Sequence, residues 1–123
     1  MEYSFSIIDY FDDRDGQNKQ APNLNIPNYE QYGEYFLDEI TNISGEYLEE
    51  IITKLRKIIK GEIKTYEFGY EVYNFDCDMK ECLVLNTFED WKEEAVIPTV
   101  EIFEMLKDWK QFLDENIENK SQS

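Results

Sequence analysis

Three aspartates and a glycine in "FDDRDGQ", residues 11 to 17, are the densest set of potential ligands in the chain. Asp12, Asp13 and Asp15 open three chemistries: a loop that holds a divalent cation, a carboxylate cluster that moves protons, or a negative surface offered to a partner. An EF-hand calcium loop needs ligands at positions 1, 3 and 5, a glycine at 6 and a glutamate at 12. With Gly16 at position 6, Phe11 falls at position 1 and Pro22 at position 12, so the motif fails at both ends. A strand-end turn in solvent uses Asp and Gly in the same way, and no metal is expected.

Other catalytic chemistry is as poorly supported. The chain has no histidine, hence no imidazole base for a serine or cysteine nucleophile, and none of the glycine-rich phosphate or nucleophile-elbow motifs occurs. With 28 acidic residues, any pairing of carboxylates proposed from spacing is uninformative. Cys77 and Cys82 flank "DMKE", a spacing that matches neither a CxxC redox pair nor a zinc set. Across a hairpin turn they would be neighbours, and the expectation is two packed free thiols in a reducing compartment. The chain is therefore expected to be no enzyme and to need no cofactor.

Charge points to a partner. The 28 acidic residues outweigh 12 basic ones for a net charge of −16, and five of the basic ones, Lys54, Arg56, Lys57, Lys60 and Lys64, share one short stretch. Such a field repels phosphate backbones and anionic lipid surfaces, so direct nucleic-acid or membrane binding is disfavoured and a cationic protein is favoured. Surplus carboxylates also serve plain solubility. No run of 18 apolar residues is present and the first residues lack a basic leader with a long apolar segment, which predicts a cytoplasmic protein.

The positioning elements follow from periodicity. With 8 Phe, 9 Tyr and 2 Trp the chain should fold, as one domain over 1–123 that buries roughly two thirds of its unfolded surface. "YSFSIIDYF" (3–11) reads as a strand, and 16–33, rich in Asn, Pro and Gly, as a long mobile loop. Residues 34–40 fit a strand by Tyr35 and Leu37 and a short helix by Phe36 and Ile40, with strand preferred. Tyr47, Leu48, Ile51, Ile52, Leu55, Ile58 and Ile59 form a helical stripe that Ser44 can cap and Gly61 stops. Residues 64–78, with a bulge near Asn74, and 81–88 predict a hairpin turning at Met79 and Lys80. A charged connection (89–98) leads to a second helix from Pro98 and Thr99, striped by Ile102, Phe103, Leu106, Trp109, Phe112 and Leu113, with a frayed tail over 116–123. The expected class is α+β, a small, mainly antiparallel sheet packed against two amphipathic helices.

Small size, strong acidity and the helix, hairpin, helix order ending in "IPTVEIFEMLKDWKQFL" resemble the immunity proteins of bacterial polymorphic or contact-dependent growth inhibition toxin systems. The resemblance is of general character over most of the chain and carries over no residue. It implies a cytosolic protein that binds and blocks a cognate toxin domain, often a cationic nuclease, with acids standing where phosphates would stand. The rival expectation is an acidic adaptor or assembly subunit for a basic partner that is no toxin. Tyr and Trp, favoured at interfaces for their area and polar end, lie beside acids at Tyr10, Tyr29, Tyr32, Tyr35, Tyr73 and Trp91. Two acidic groups are therefore the candidate contact: Tyr10 with Asp12, Asp13 and Asp15, and the hairpin tip with Asp76, Asp78 and Glu81.

Overall fold

The computed structural model describes residues 1–118. Twelve elements place two helices against one face of a four-stranded sheet and set a two-stranded arm beside them. Every strand pair is antiparallel, so the expected α+β class holds.

The arm is the largest departure from the sequence reading. β1 (Ser4–Asp12) pairs along its whole length with β2 (Gln17–Asn25), from Ser4 opposite Asn25 to Asp12 opposite Gln17, so the expected loop over 16–33 is half strand. Asn and Pro concealed it. A two-stranded ribbon directs alternate amides away from its partner strand, and there Pro22 is accommodated. The arm is rooted by Phe5, whose ring lies 5.6 Å from Trp109 and 5.3 Å from Phe112, by buried Leu24, and by the Tyr3 hydroxyl, which donates to Asp108 at 2.5 Å. Beyond Ile8 nearly every side chain of β1 is exposed.

The preferred strand over 34–40 is instead α1 (Phe36–Thr41), preceded by a 3-10 turn, Tyr29–Tyr32. Phe36 and Ile40, four apart, are both fully buried, as one helix face requires. Glu39 is buried beside them at 2% exposure, and a buried carboxylate is what blurred the helical pattern. α2 (Gly45–Ile59) buries Leu48, Ile51, Ile52, Leu55 and Ile58 as its stripe predicts. Ser44 holds the N-cap position without making a side-chain cap bond. At the other end the amides of Gly61 and Glu62 donate to the carbonyls of Ile58 and Lys57, a Schellman closure in which Gly61, at φ +78, takes the left-handed position.

Residues 64–78 form two strands in place of one bulged strand. β3 (Tyr66–Gly69) turns at 70–72 into β4 (Tyr73–Cys77), and the phase change near Asn74 is this reversal. Gly69 permits it, since a Cβ there would stand 2.1 Å from the Tyr73 carbonyl oxygen. β5 (Glu81–Asn86) follows the expected turn, and the expected connection 89–98 is β6 (Lys92–Pro98), an edge strand. Its Lys92, Glu93 and Glu94 are the charges that keep an exposed edge from pairing with other chains, which made it read as a linker. The sheet order is β3-β4-β5-β6.

α3 (Thr99–Leu113) buries Ile102, Met105, Leu106, Trp109 and Leu113, and Trp109 Nε1 donates to the Ile43 carbonyl at 3.0 Å. Asp114–Glu118 continue as a π-helical turn; of the tail expected to fray over 116–123, residues 119–123 lie outside the described residues. Cys77 and Cys82, directly opposite on β4 and β5, are joined as a disulfide, which corrects the expectation of free thiols. Closing so short a loop stabilises by roughly 2 kcal/mol on chain-entropy grounds. No helix among the described residues is long and apolar enough to cross a membrane.

Candidate functional site

The expected contact at the arm tip is largely used up within the arm. Asp12 is closed off, by its own hairpin rather than by the core: Oδ1 accepts from the Arg14 backbone amide at 2.9 Å, and Oδ2 accepts from Lys19 Nζ at 2.8 Å and from Arg14 Nη2 at 3.2 Å. Lys19 also pairs with Asp15 at 2.8 Å. Asp13 and Tyr10 stay exposed. Asp12 and Asp15 thus share two local cations, Arg14 and Lys19, and Asp12 is a turn-holding group, not a free acid.

Those hydrogen bonds from Arg14 and Lys19 hold the Asp12 carboxyl below its ordinary value. A carboxyl lowered in the folded state contributes stability that is present above its unfolded value and lost as pH falls through the folded one. The amides of Arg14 and Gly16, which close the tip on Asp12, are therefore expected to lose hydrogen-exchange protection at acid pH before the helices do. Protection of these two amides that outlasts that of the helices as pH falls would show that Asp12 does not hold the tip.

The second expected group divides. Asp78 Oδ1 accepts from the amides of Glu81 and Lys80 at 2.9 and 2.8 Å, bonds that lower its carboxyl. Asp78 shares a shallow groove with Lys64 and Lys80, so the turn is locally balanced. Asp76 and Glu81 belong elsewhere, because strand alternation sends them to the sheet face opposite the helices.

That open face is where free carboxylates gather. Phe68, Tyr73, Phe75, Cys77, Cys82, Val84 and Ile97 point inward to the core. The alternate residues point outward, and the register sets Glu67 beside Asp76, Asp76 beside Leu83 and Leu83 beside Val96 in one row. Asn74, Leu85 and Glu93 form the next row, with Glu81 on β5 at the near end. Leu83, Leu85 and Val96 are no part of the core cluster, and Val96 is 44% exposed. The face is an apolar centre ringed by Glu67, Asp76, Glu81 and Glu93, without a lysine or arginine among these residues.

One end of the face carries an aromatic rim. In this up-and-down sheet the β3–β4 and β5–β6 connections share an end, and the Thr87 amide and hydroxyl both donate to the Val72 carbonyl at 2.8 Å. Tyr70 on the first connection and Phe88 and Trp91 on the second are more than half exposed. Tyr35 adjoins them, its amide donating to the Tyr73 hydroxyl at 2.8 Å. Residues 33–39, 69–72 and 86–94, which build this end, hold eight acids, Glu34, Asp38, Glu39, Glu71, Glu89, Asp90, Glu93 and Glu94, against the single base Lys92.

Among those acids Glu89 and Glu94 lie 4.0 Å from Lys92, and Glu39 is buried and bonded within the fold. Its carboxylate accepts from three consecutive amides, Tyr70 and Glu71 at 3.0 Å and Val72 at 2.6 Å, and so pins the turn that presents Tyr70. Of this face and rim the sequence reading named Asp76 and Glu81 as contacts and Tyr35 and Trp91 as aromatics beside acids; the remaining signal was the alternation of "ECLVLN", whose parity the unbroken apolar run conceals. Among the described residues no three His, Cys, Asp or Glu side chains come together to hold a metal. No family model, curated protein or solved structure matches the chain.

Proposed function

We propose that this protein is a non-catalytic inhibitor that binds a cationic protein domain through the open sheet face, most simply the nuclease domain of a cognate bacterial toxin. The observation that carries the reading is the apolar centre of Leu83, Leu85 and Val96 inside a ring of unpaired acids, continuous with exposed aromatics. Hydrophobic centres with polar rims are the anatomy of protein interfaces, and a nuclease cleft that must attract phosphate is attracted equally by carboxylates on a rigid sheet. An acidic adaptor for a basic partner that is no toxin uses the same surface.

The proposed place of action is the cytoplasm. The β4–β5 register does not rest on the Cys77–Cys82 bond alone, because the ladder and the Asp78 turn hold it as well. Where a neighbouring gene encodes a toxin domain, co-expression with it separates the two readings: survival supports an inhibitor, and death of the host sinks it. For the purified pair, the association rate should fall at least about tenfold from low to physiological ionic strength while dissociation changes little. An association rate indifferent to salt would refute electrostatic steering.

A further inference from the structure

We infer that the turn bearing Phe88 and Trp91 is the anchor of this surface and that it receives an arginine side chain of the partner, an inference that rests on the sheet-face reading above. Phe88 is 69% and Trp91 56% exposed, and among the described residues neither ring packs against another aromatic. Large aromatics three positions apart on one tight turn, left in water with their faces unused, are what an interface hot spot looks like before its partner arrives.

The turn holds them firmly. Asn86 Oδ1 accepts from the Phe88 amide at 3.0 Å, Thr87 is tied to Val72, and Asp90 and Trp91 both stand in the left-handed region at φ 57 and 61. Bulky residues rarely adopt that conformation, and here it aims Trp91 outward. Between the two rings the chain carries Glu89 and Asp90, and the only base of the rim, Lys92, reaches Glu89 and Glu94 at 4.0 Å.

Rings flanked by carboxylates select a particular cation. A guanidinium can lie flat on an aromatic face while its fork donates two bonds to one carboxylate, and it is weakly hydrated, so little is lost on stacking. An ammonium is a strongly hydrated point charge and satisfies the carboxylate without needing the ring. At Phe103 the fold sets both kinds of cation over one ring, Arg56 at 5.4 Å and Lys107 at 5.6 Å from its centre, so selection at the turn rests on the guanidinium's weaker hydration and its two-pronged bond to a carboxylate. Acids alone would accept either cation; acids with two open rings discriminate.

Two fluorescein-labelled peptides of equal length in a Gly/Ser background, one with four arginines and one with four lysines, test this by anisotropy at low salt. The arginine peptide is expected to bind at least about threefold tighter, to shield Trp91 from acrylamide quenching, and to lose its advantage with Trp91→Ala, while emission from fully buried Trp109 reports that the fold is intact. Equal affinities for the two peptides, a preference that survives Trp91→Ala, or binding of neither peptide would each overturn the anchor. Equal, salt-sensitive binding of both would do so while leaving the acidic sheet face as the binding surface, so the two ideas fail separately.

Discussion

Glu39→Ala should lower the stability of the protein by about 3 kcal/mol, the largest effect of any acidic residue. The carboxylate is 2% exposed and accepts from the amides of Tyr70, Glu71 and Val72. Removing it leaves three donors without an acceptor at the end of the sheet, each costing about 1 to 3 kcal/mol if it stays dry. The sum is smaller than three full penalties because Tyr70 and Glu71 are exposed and water reaches part of the turn. Glu39→Gln keeps one carbonyl but turns an amide group toward donors, so it should cost about 2 kcal/mol. Urea unfolding measures both, and a loss under about 1 kcal/mol for the alanine variant would show that the turn does not depend on this carboxylate.

Leu83→Lys should cost the complex at least about 100-fold in affinity, roughly 3 kcal/mol, with little change in the fold. Leu83 lies between Asp76 and Val96 in the middle of the open face and outside the core cluster. Its replacement should therefore change stability by no more than about 1 kcal/mol. In the complex the same lysine would be buried at the interface centre against a cationic partner, where an unpaired like charge costs several kcal/mol. Leu85→Lys should behave alike, and circular dichroism with urea unfolding confirms that the variants remain folded. Affinity within threefold of the wild type would move the interface away from this face.

The contrast between α2 and the two binding surfaces shows what could be read in the sequence. Leu48, Ile51, Ile52, Leu55 and Ile58 repeat at helical spacing, and their partner is one core, so local pattern and tertiary structure agree. In "ECLVLN" four apolar residues follow one another, and either parity could have faced the helices. Cys82 and Val84 went in because Phe75, Cys77 and Ile97 meet them across the ladder, information that lies outside the segment. Tyr35, Tyr70 and the turn that carries Phe88 and Trp91 are far apart in the chain, and only the up-and-down order of the sheet collects them. At the arm the aspartates were visible, but Lys19, seven residues from Asp12, pairs with Asp12 and Asp15 from the opposite strand. Glu39 misled for a related reason: its buried carboxylate looks like a surface residue until the 70–72 amides are in place.

The central claim, that a cationic partner docks on the open sheet face and not on the arm, is tested most directly by one comparison of dissociation constants. Leu83→Lys is set beside Asp13→Asn with Asp15→Asn, which leaves Asp12 in its turn, and both are measured against the wild type with the proposed cationic partner domain. The account predicts a loss of at least about 100-fold for the first and less than about threefold for the second. A complex that tolerates Leu83→Lys but is weakened tenfold or more by the arm variant would contradict it.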